Sequence, residues 1–245
     1  LWLEGHPNDA MKSEWKYYLD EAEQEADVQE QLEKIRAEYK NLNPEDLKII
    51  DPCMGSGHIL VYAFDVLMQI YESCGYTQRD AARLILEKNI YGFDIDHRAY
   101  ELAYFALLMK ARSYSRRILN EGVNLNISLS YALDPQHYAK VAANHVIDTA
   151  NLNVDKTQLK NDIDYLLEIN QNATEYGSIV DVKPLNFDKI ETAIKALIDD
   201  GRIGDFNNLL PLVKQSRILA GKYDVVVTNP PYMGSSGMSA KLGDY

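Results

Sequence analysis

The stretch Leu47-Lys48-Ile49-Ile50-Asp51-Pro52-Cys53-Met54-Gly55-Ser56-Gly57 reads as a short apolar strand, a turn and the start of a helix. The helix spans 58–72, with apolar positions at Ile59, Leu60, Ala63, Leu67 and Ile70. Strand, glycine turn and helix N-terminus together bring bare backbone amides up to an anionic or zwitterionic ligand. Gly55 and Gly57 permit positive φ and close approach of another molecule to the backbone. Asp51 ends the strand, where open α/β sheets bind their ligands. An isolated Gly-x-Gly is often only a tight turn. A strand that ends in Asp-Pro and runs straight into Gly-Ser-Gly is a much narrower pattern.

Two further stretches extend this frame. Asn89-Ile90-Tyr91-Gly92-Phe93-Asp94-Ile95-Asp96 reads as a second strand ending in carboxylates. An acid there suits a ribose diol, since one carboxylate accepts both hydroxyl protons. We assign that role to Asp94, and to Asp96 the N-cap of the helix at 98–112. Far downstream, Tyr223-Asp224-Val225-Val226-Val227-Thr228 reads as a buried strand that is stopped by Asn229-Pro230-Pro231-Tyr232. Neither proline has a ladder N–H, so the chain leaves the sheet rigidly. Its tip then carries a side-chain amide, two backbone carbonyls and an aromatic ring. That set suits a planar exocyclic amino group: amide and carbonyl accept its two N–H bonds, and the ring stacks on the heterocycle. A plain proline turn is the alternative for the tetrapeptide alone.

In this order the three motifs resemble those of amino-group DNA methyltransferases that use S-adenosylmethionine, specifically the adenine-N6 branch. That family commonly carries Asp-Pro-Ala-Cys-Gly-Ser-Gly, whereas this chain has Cys53-Met54 before the glycines. Residues 51–60 and 229–234 look most like the large adenine methyltransferases of phage-exclusion systems of the BREX type. The resemblance implies a Rossmann-like α/β fold and S-adenosylmethionine as cofactor. It places Asp51, Gly55 and Gly57, with Met54 and Ser56 of the same turn, beside the methionine half of the cofactor. Asp94 becomes the ribose ligand and Ile95 the apolar contact against adenine. Asn229 and Pro230 become acceptors for the target amino group, Pro231 holds the corner, and Tyr232 is the stacking platform. The polar residue near the cofactor's adenine amino group stays open between Asp134, which with Pro135 also fits a helix cap, and Ser178. DNA is the implied partner, with a base flipped out of the duplex, and other defence-system subunits are further partners. Asn-Pro-Pro-Tyr is also shared by enzymes acting on protein glutamine or RNA, and cytosine-N4 enzymes are a neighbouring branch. A non-catalytic cofactor- or partner-binding module is the rival of a different class.

Composition bounds the rest. With 25 Lys plus Arg against 37 Asp plus Glu, the net charge is −12, the wrong sign for a surface that grips phosphates. The basic residues Lys110, Arg112, Arg116 and Arg117 read as the solvated end of a helix, so the main DNA-binding surface is expected outside this chain. The two cysteines and scattered histidines carry no zinc spacing, and no metal site is expected. No signal peptide or bilayer-length apolar run occurs, so a cytoplasmic protein with no membrane partner is expected. Trp15, Tyr18, Leu19, Ala22, Val28, Leu32, Ile35 and Tyr39 predict one long amphipathic helix in an acidic stretch. Helices are expected at 135–149, 156–170, 187–200 and 206–220, with Asp134, Asp155 and Asn186 as caps, Pro211 as a break and Gly221 as a stop. The expected organisation is a helical segment at 1–45, the cofactor-binding half of a methyltransferase domain at 46–133, a mainly helical insertion at 134–221 and the target-base strand and loop at 222–245. The chain is expected to be a fragment, its sheet incomplete after that strand.

Overall fold

The computed structural model of the chain describes residues 1–20, 22, 24–132, 156–199 and 209–230. Four strands, β1 (Ile49–Asp51), β2 (Ile90–Asp94), β3 (Asn126–Leu129) and β4 (Val225–Val226), form one sheet in the order β3-β2-β1-β4. Every pairing is parallel. The chain therefore steps outward from β1 to β2 to β3 and then returns to the far side of β1. The reversal of strand order falls between β1 and β4, and in open α/β sheets that switch point opens the ligand crevice at the carboxyl ends.

The helices among the described residues are α1 (Trp2–Gly5), α2 (Asp9–Glu14), α3 (Ala26–Tyr39), α4 (His58–Ser73), α5 (Gln78–Leu84), α6 (His97–Tyr114), α7 (Lys156–Ile169), α8 (Ala173–Tyr176), α9 (Phe187–Asp199) and α10 (Leu209–Leu219). Helix α4 buries Leu60, Phe64, Leu67, Met68 and Tyr71, one stripe at helical spacing, against the sheet and α6. Buried Asn89 fastens the strands from below: its amide donates to the carbonyls of Pro44 and Leu47, and its oxygen accepts from the Tyr71 hydroxyl. The Asn43 turn forms as the sequence predicts, with the side chain accepting from the Glu45 amide. Among the described residues, no helix is long and apolar enough to cross a membrane.

The long N-terminal helix does not form. Helix α2 ends at Glu14, and the next helix, α3, begins only at Ala26 and buries no side chain. Trp15 is taken out of the expected stripe by its indole N–H bond to Gln69 of α4, and Leu19 is 86% exposed. With Val28 and Ile35 also exposed, no apolar face exists to tie a continuous helix to the core. The basic end of α6 is less free than its charges suggest, because Lys110 pairs with Asp65 of α4.

Helices α7, α9 and α10 build a second hydrophobic cluster through Leu159, Ile163, Leu166, Ile190, Ile194, Leu212 and Val213. Asn186 caps α9 by accepting from the Lys189 amide. Pro211 does not interrupt α10, since it lies in the first turn where its missing N–H is not needed. The caps expected at Asp134 and Asp155 and the helix expected at 135–149 lie outside the described residues.

A buried amide network joins this cluster to the sheet. Gln215 donates to the Asn170 side chain and to the Tyr131 carbonyl, and its oxygen accepts from the Tyr131 amide. Asn170 also donates to Ser216 and to the Leu166 carbonyl, and Ser130 donates to the Ala173 carbonyl. Gln215→Leu deprives these groups of a partner and is expected to lower the unfolding free energy by about 1–3 kcal/mol. Urea denaturation measures this, and a change under about 0.5 kcal/mol, ordinary for a surface site, would show that the network does not hold the helices to β3.

Candidate active site

The glycine turn takes the shape that its sequence requires. Gly55 has φ +52° and Gly57 φ +81°, both in the left-handed region. A Cβ on Gly57 would come within 3.1 Å of the Ala103 backbone, so glycine there also lets α6 pack against the turn. A Cβ on Gly55 would meet nothing within 4 Å, so glycine is needed at that position for its backbone conformation. Met54 faces the other way. Its side chain is buried, and its amide donates to the Phe93 carbonyl. A Cβ on Gly92 in β2 would lie 2.5 Å from the Met54 sulfur. The thioether thus supports the turn from within the core.

Two carboxylates organise the carboxyl end of the sheet. Asp94 accepts from the Gly55 amide through one oxygen and from the Asp96 amide through the other, both at 2.8 Å. It thereby locks the end of β2 to the glycine turn, and a carboxylate has lone pairs left for further donors. Asp96 caps α6, accepting from the amides of Arg98 and Ala99, as the sequence predicts. Asp51 is only 1% exposed. Burial pushes its carboxyl above the usual range, the Thr228 hydroxyl and the Cys53 amide pull it back, and the charge of Asp94 raises it further. Two like charges drawn together in this way create a site electrostatically suited to a cation.

The second corner lies beside the first. The amides of Asp224 and Val225 donate to the Lys48 carbonyl, and that of Val227 donates to Ile50. Strand β4 therefore runs alongside β1 in the same direction, and Asn229 and Pro230 leave the sheet at the same edge as the glycine turn. Neighbouring strands are separated by about 4.8 Å. Asn229 and Pro230 are exposed, while Pro231 and Tyr232 lie outside the described residues. The expected buried strand is instead an edge: Val226 is 65% exposed, because among the described residues β4 has a partner on one side only.

The turn Gly177–Ile179 reaches the carboxyl end of the sheet. Gly177 has φ +58°, and a Cβ there would meet Ile95 at 3.0 Å. The Ser178 hydroxyl lies 3.8 Å from the Cys53 sulfur. Ile95 is otherwise exposed, and so offers an apolar surface beside the end of β2. Ser178 is thus next to the crevice, while Asp134 lies outside the described residues. A cavity of about 670 Å³ between β3 and helices α9 and α10, lined by Tyr131, Lys195 and Lys214 among others, is separate from these groups.

The family model described as Eco57I restriction-modification methylase matches residues 88–245. "Adenine-specific methyltransferase BrxX" of Escherichia coli O9:H4 (strain HS) is 38% identical over 264 residues, which cover 100% of this chain and 22% of that protein. "Adenine-specific methyltransferase PglX" of Lacticaseibacillus casei (strain Zhang) is 32% identical over 249 residues, covering 96% of this chain and 19% of that protein. The chain thus spans about a fifth of the length of these relatives. On the family match and the full-length similarity, the chain belongs to the Eco57I restriction-modification methylase family.

Proposed function

We propose that this chain forms the cofactor-binding and target-binding part of a site-specific DNA methyltransferase that modifies the N6 amino group of adenine. The observation that carries the reading is the placement of the glycine turn and the Asn229-Pro230 corner at the same end of adjacent parallel strands. In this reading residues 46–133 hold the cofactor and 222–245 the target base. The acidic balance of the chain leaves the bulk of phosphate contact to the rest of the intact protein.

The residues present fit S-adenosylmethionine. Its charge is matched by the buried Asp51 next to Asp94, its ribose diol by the lone pairs left on Asp94, and its purine by Ile95 with Ser178 nearby. When bound, it supplies an electrophilic methyl group whose leaving sulfur needs no acid. The protein's task is then to prepare the nucleophile, because the adenine N6 lone pair is delocalised into the ring. The Asn229 side-chain oxygen and the Pro230 carbonyl accept the two N6–H bonds and favour a pyramidal nitrogen that localises that pair. Positioning and electrostatics carry the rate, which accounts for a site without a His–Asp pair. A stacked base cannot reach this edge, so it is flipped out, and Tyr232 stacking returns about 1–3 kcal/mol of the cost.

Two outcomes are expected in the intact protein. Asn229→Ala lowers tritiated-methyl transfer to DNA by about 100-fold or more, while cofactor binding measured by calorimetry stays near the parental value. Transfer at the parental rate would refute the assignment, and label appearing in RNA or protein instead of DNA would redirect the substrate.

The second outcome concerns Asp51. Its folded-state pKa is raised, so its contribution to the ligand-free fold is fully present below the unfolded pKa and is lost as pH rises through the folded one. Asp51→Asn is therefore expected to leave ligand-free thermal stability at neutral pH unchanged or higher. Cofactor affinity should fall about tenfold or more, the scale of one charge-assisted bond. Parental affinity combined with a lower melting temperature would make Asp51 a structural residue only.

A further inference from the structure

The cavity of about 670 Å³ between β3 and helices α9 and α10 takes no part in the proposed reaction. Its volume falls in the range of small-molecule sites, roughly 300–1,000 Å³. Among the described residues its wall carries three cations, Lys195, Lys214 and Arg217, against one carboxylate, Glu191. Such an excess of positive charge stands out in a chain of net charge −12. Glu191 is moreover already shared. It pairs with Lys195 at 2.6 Å and with Arg217 at 2.7 Å, and Arg217 also pairs with Asp188. Lys214 forms no ion pair or hydrogen bond among the described residues. It is exposed to solvent, yet the surrounding protein pulls its pKa below the ordinary lysine value, with Glu191 acting the other way. Solvent access in crowded surroundings is what the wall of a concavity provides, and an unpaired cation is costly there.

The rest of the lining has a different chemistry. It runs along β3 and the start of α6, and brings two half-buried aromatic residues, Tyr100 and Tyr131, to the cavity. The Tyr131 backbone exchanges two hydrogen bonds with Gln215, the residue that follows Lys214 on α10. The unpaired ammonium and the Tyr131 backbone are therefore tied to each other through one buried amide. We propose that this cavity binds a nucleoside monophosphate, its phosphate seated at Lys214 beside Lys195 and Arg217 and its base against the tyrosine rings. A phosphate monoester carries a charge of about −1.5 to −2 at neutral pH, which balances the cationic wall. Inorganic phosphate would meet the cations alone and leave the rings and most of the volume unused. A duplex turns its bases inward, so it cannot offer phosphate and base together to one cavity. Neither the glycine turn nor Asp94 or Ile95 lines the cavity, so the site is distinct from the cofactor crevice and stands independently of the methyltransferase reading.

The test is calorimetric titration of the intact protein, in excess S-adenosylhomocysteine, with AMP, GMP, CMP and UMP. Inorganic phosphate and the matching nucleosides are titrated alongside. At least one monophosphate is expected to saturate a single site per chain, about tenfold or more tighter than inorganic phosphate, the scale of one stacked base. Lys214→Met is expected to weaken that binding by about tenfold or more, the scale of one charge-assisted bond, with its melting temperature unchanged. Lys214→Arg, which keeps the charge, should restore most of the affinity. Failure of all four monophosphates to bind overturns the proposal, and so does parental affinity in Lys214→Met. Inorganic phosphate binding as tightly as the monophosphates overturns the nucleoside part. Binding seen only when S-adenosylhomocysteine is left out assigns the monophosphate to the cofactor crevice and overturns the separate site. Should Lys214→Met fail to fold, Lys195→Met decides: weaker monophosphate binding upholds the site, and parental binding overturns it.

Discussion

The parallel pairing of β1 with β4 is the constraint on which the site depends. It consists of a few bonds: two amides on the Lys48 carbonyl, one on that of Ile50, and the Lys48 amide donating back to the Asp224 side chain. Residues 176 positions apart in sequence are joined by that last contact. Without this register the glycine turn and the Asn229 corner would be two unrelated loops. With it, they leave the same end of the sheet on adjacent strands, at the strand-order reversal.

At this end of the sheet two carboxylates, Asp51 and Asp94, lie close to one another. Asp51 is buried with its charge only partly compensated, and the Asp94 carboxylate acts on it from the neighbouring strand. Asp94 is itself satisfied by two backbone amides, one of them from the glycine turn. The acid thus serves two purposes: it fixes the turn, and it presents its remaining lone pairs outward. Such sites conflict with the preference of an isolated fold for neutral or paired interiors, and conflicts of this kind gather where ligands bind.

The helices of the second cluster are part of the same construction. Their own core is apolar, yet they are fastened to the sheet by polar groups: Gln215 on the Tyr131 backbone, Asn170 and Ser216 beside it, and Ser130 on the Ala173 carbonyl. Buried amide pairs specify geometry more strictly than apolar contact does, because each donor demands an acceptor at a set distance and direction. The outcome is a defined position for the Gly177–Ile179 turn against Ile95 and Cys53.

The residues themselves fixed the local events. Strand, glycine turn and helix between Leu47 and Ser73, the Asp96 cap, the Asn43 turn and the helices at Lys156, Phe187 and Leu209 all follow from short-range rules of periodicity, capping and backbone permission. Short-range rules also mark the candidate site residues, since a proline pair or a glycine at positive φ is legible one position at a time. They do not reveal partners across space. That Met54 turns into the core under Gly92, that Trp15 leaves its stripe for Gln69 and that β4 is an exposed edge are consequences of which segments lie beside which. Each depends on contacts between distant segments, and only the folded sheet, by choosing the far side of β1 for β4, decided them.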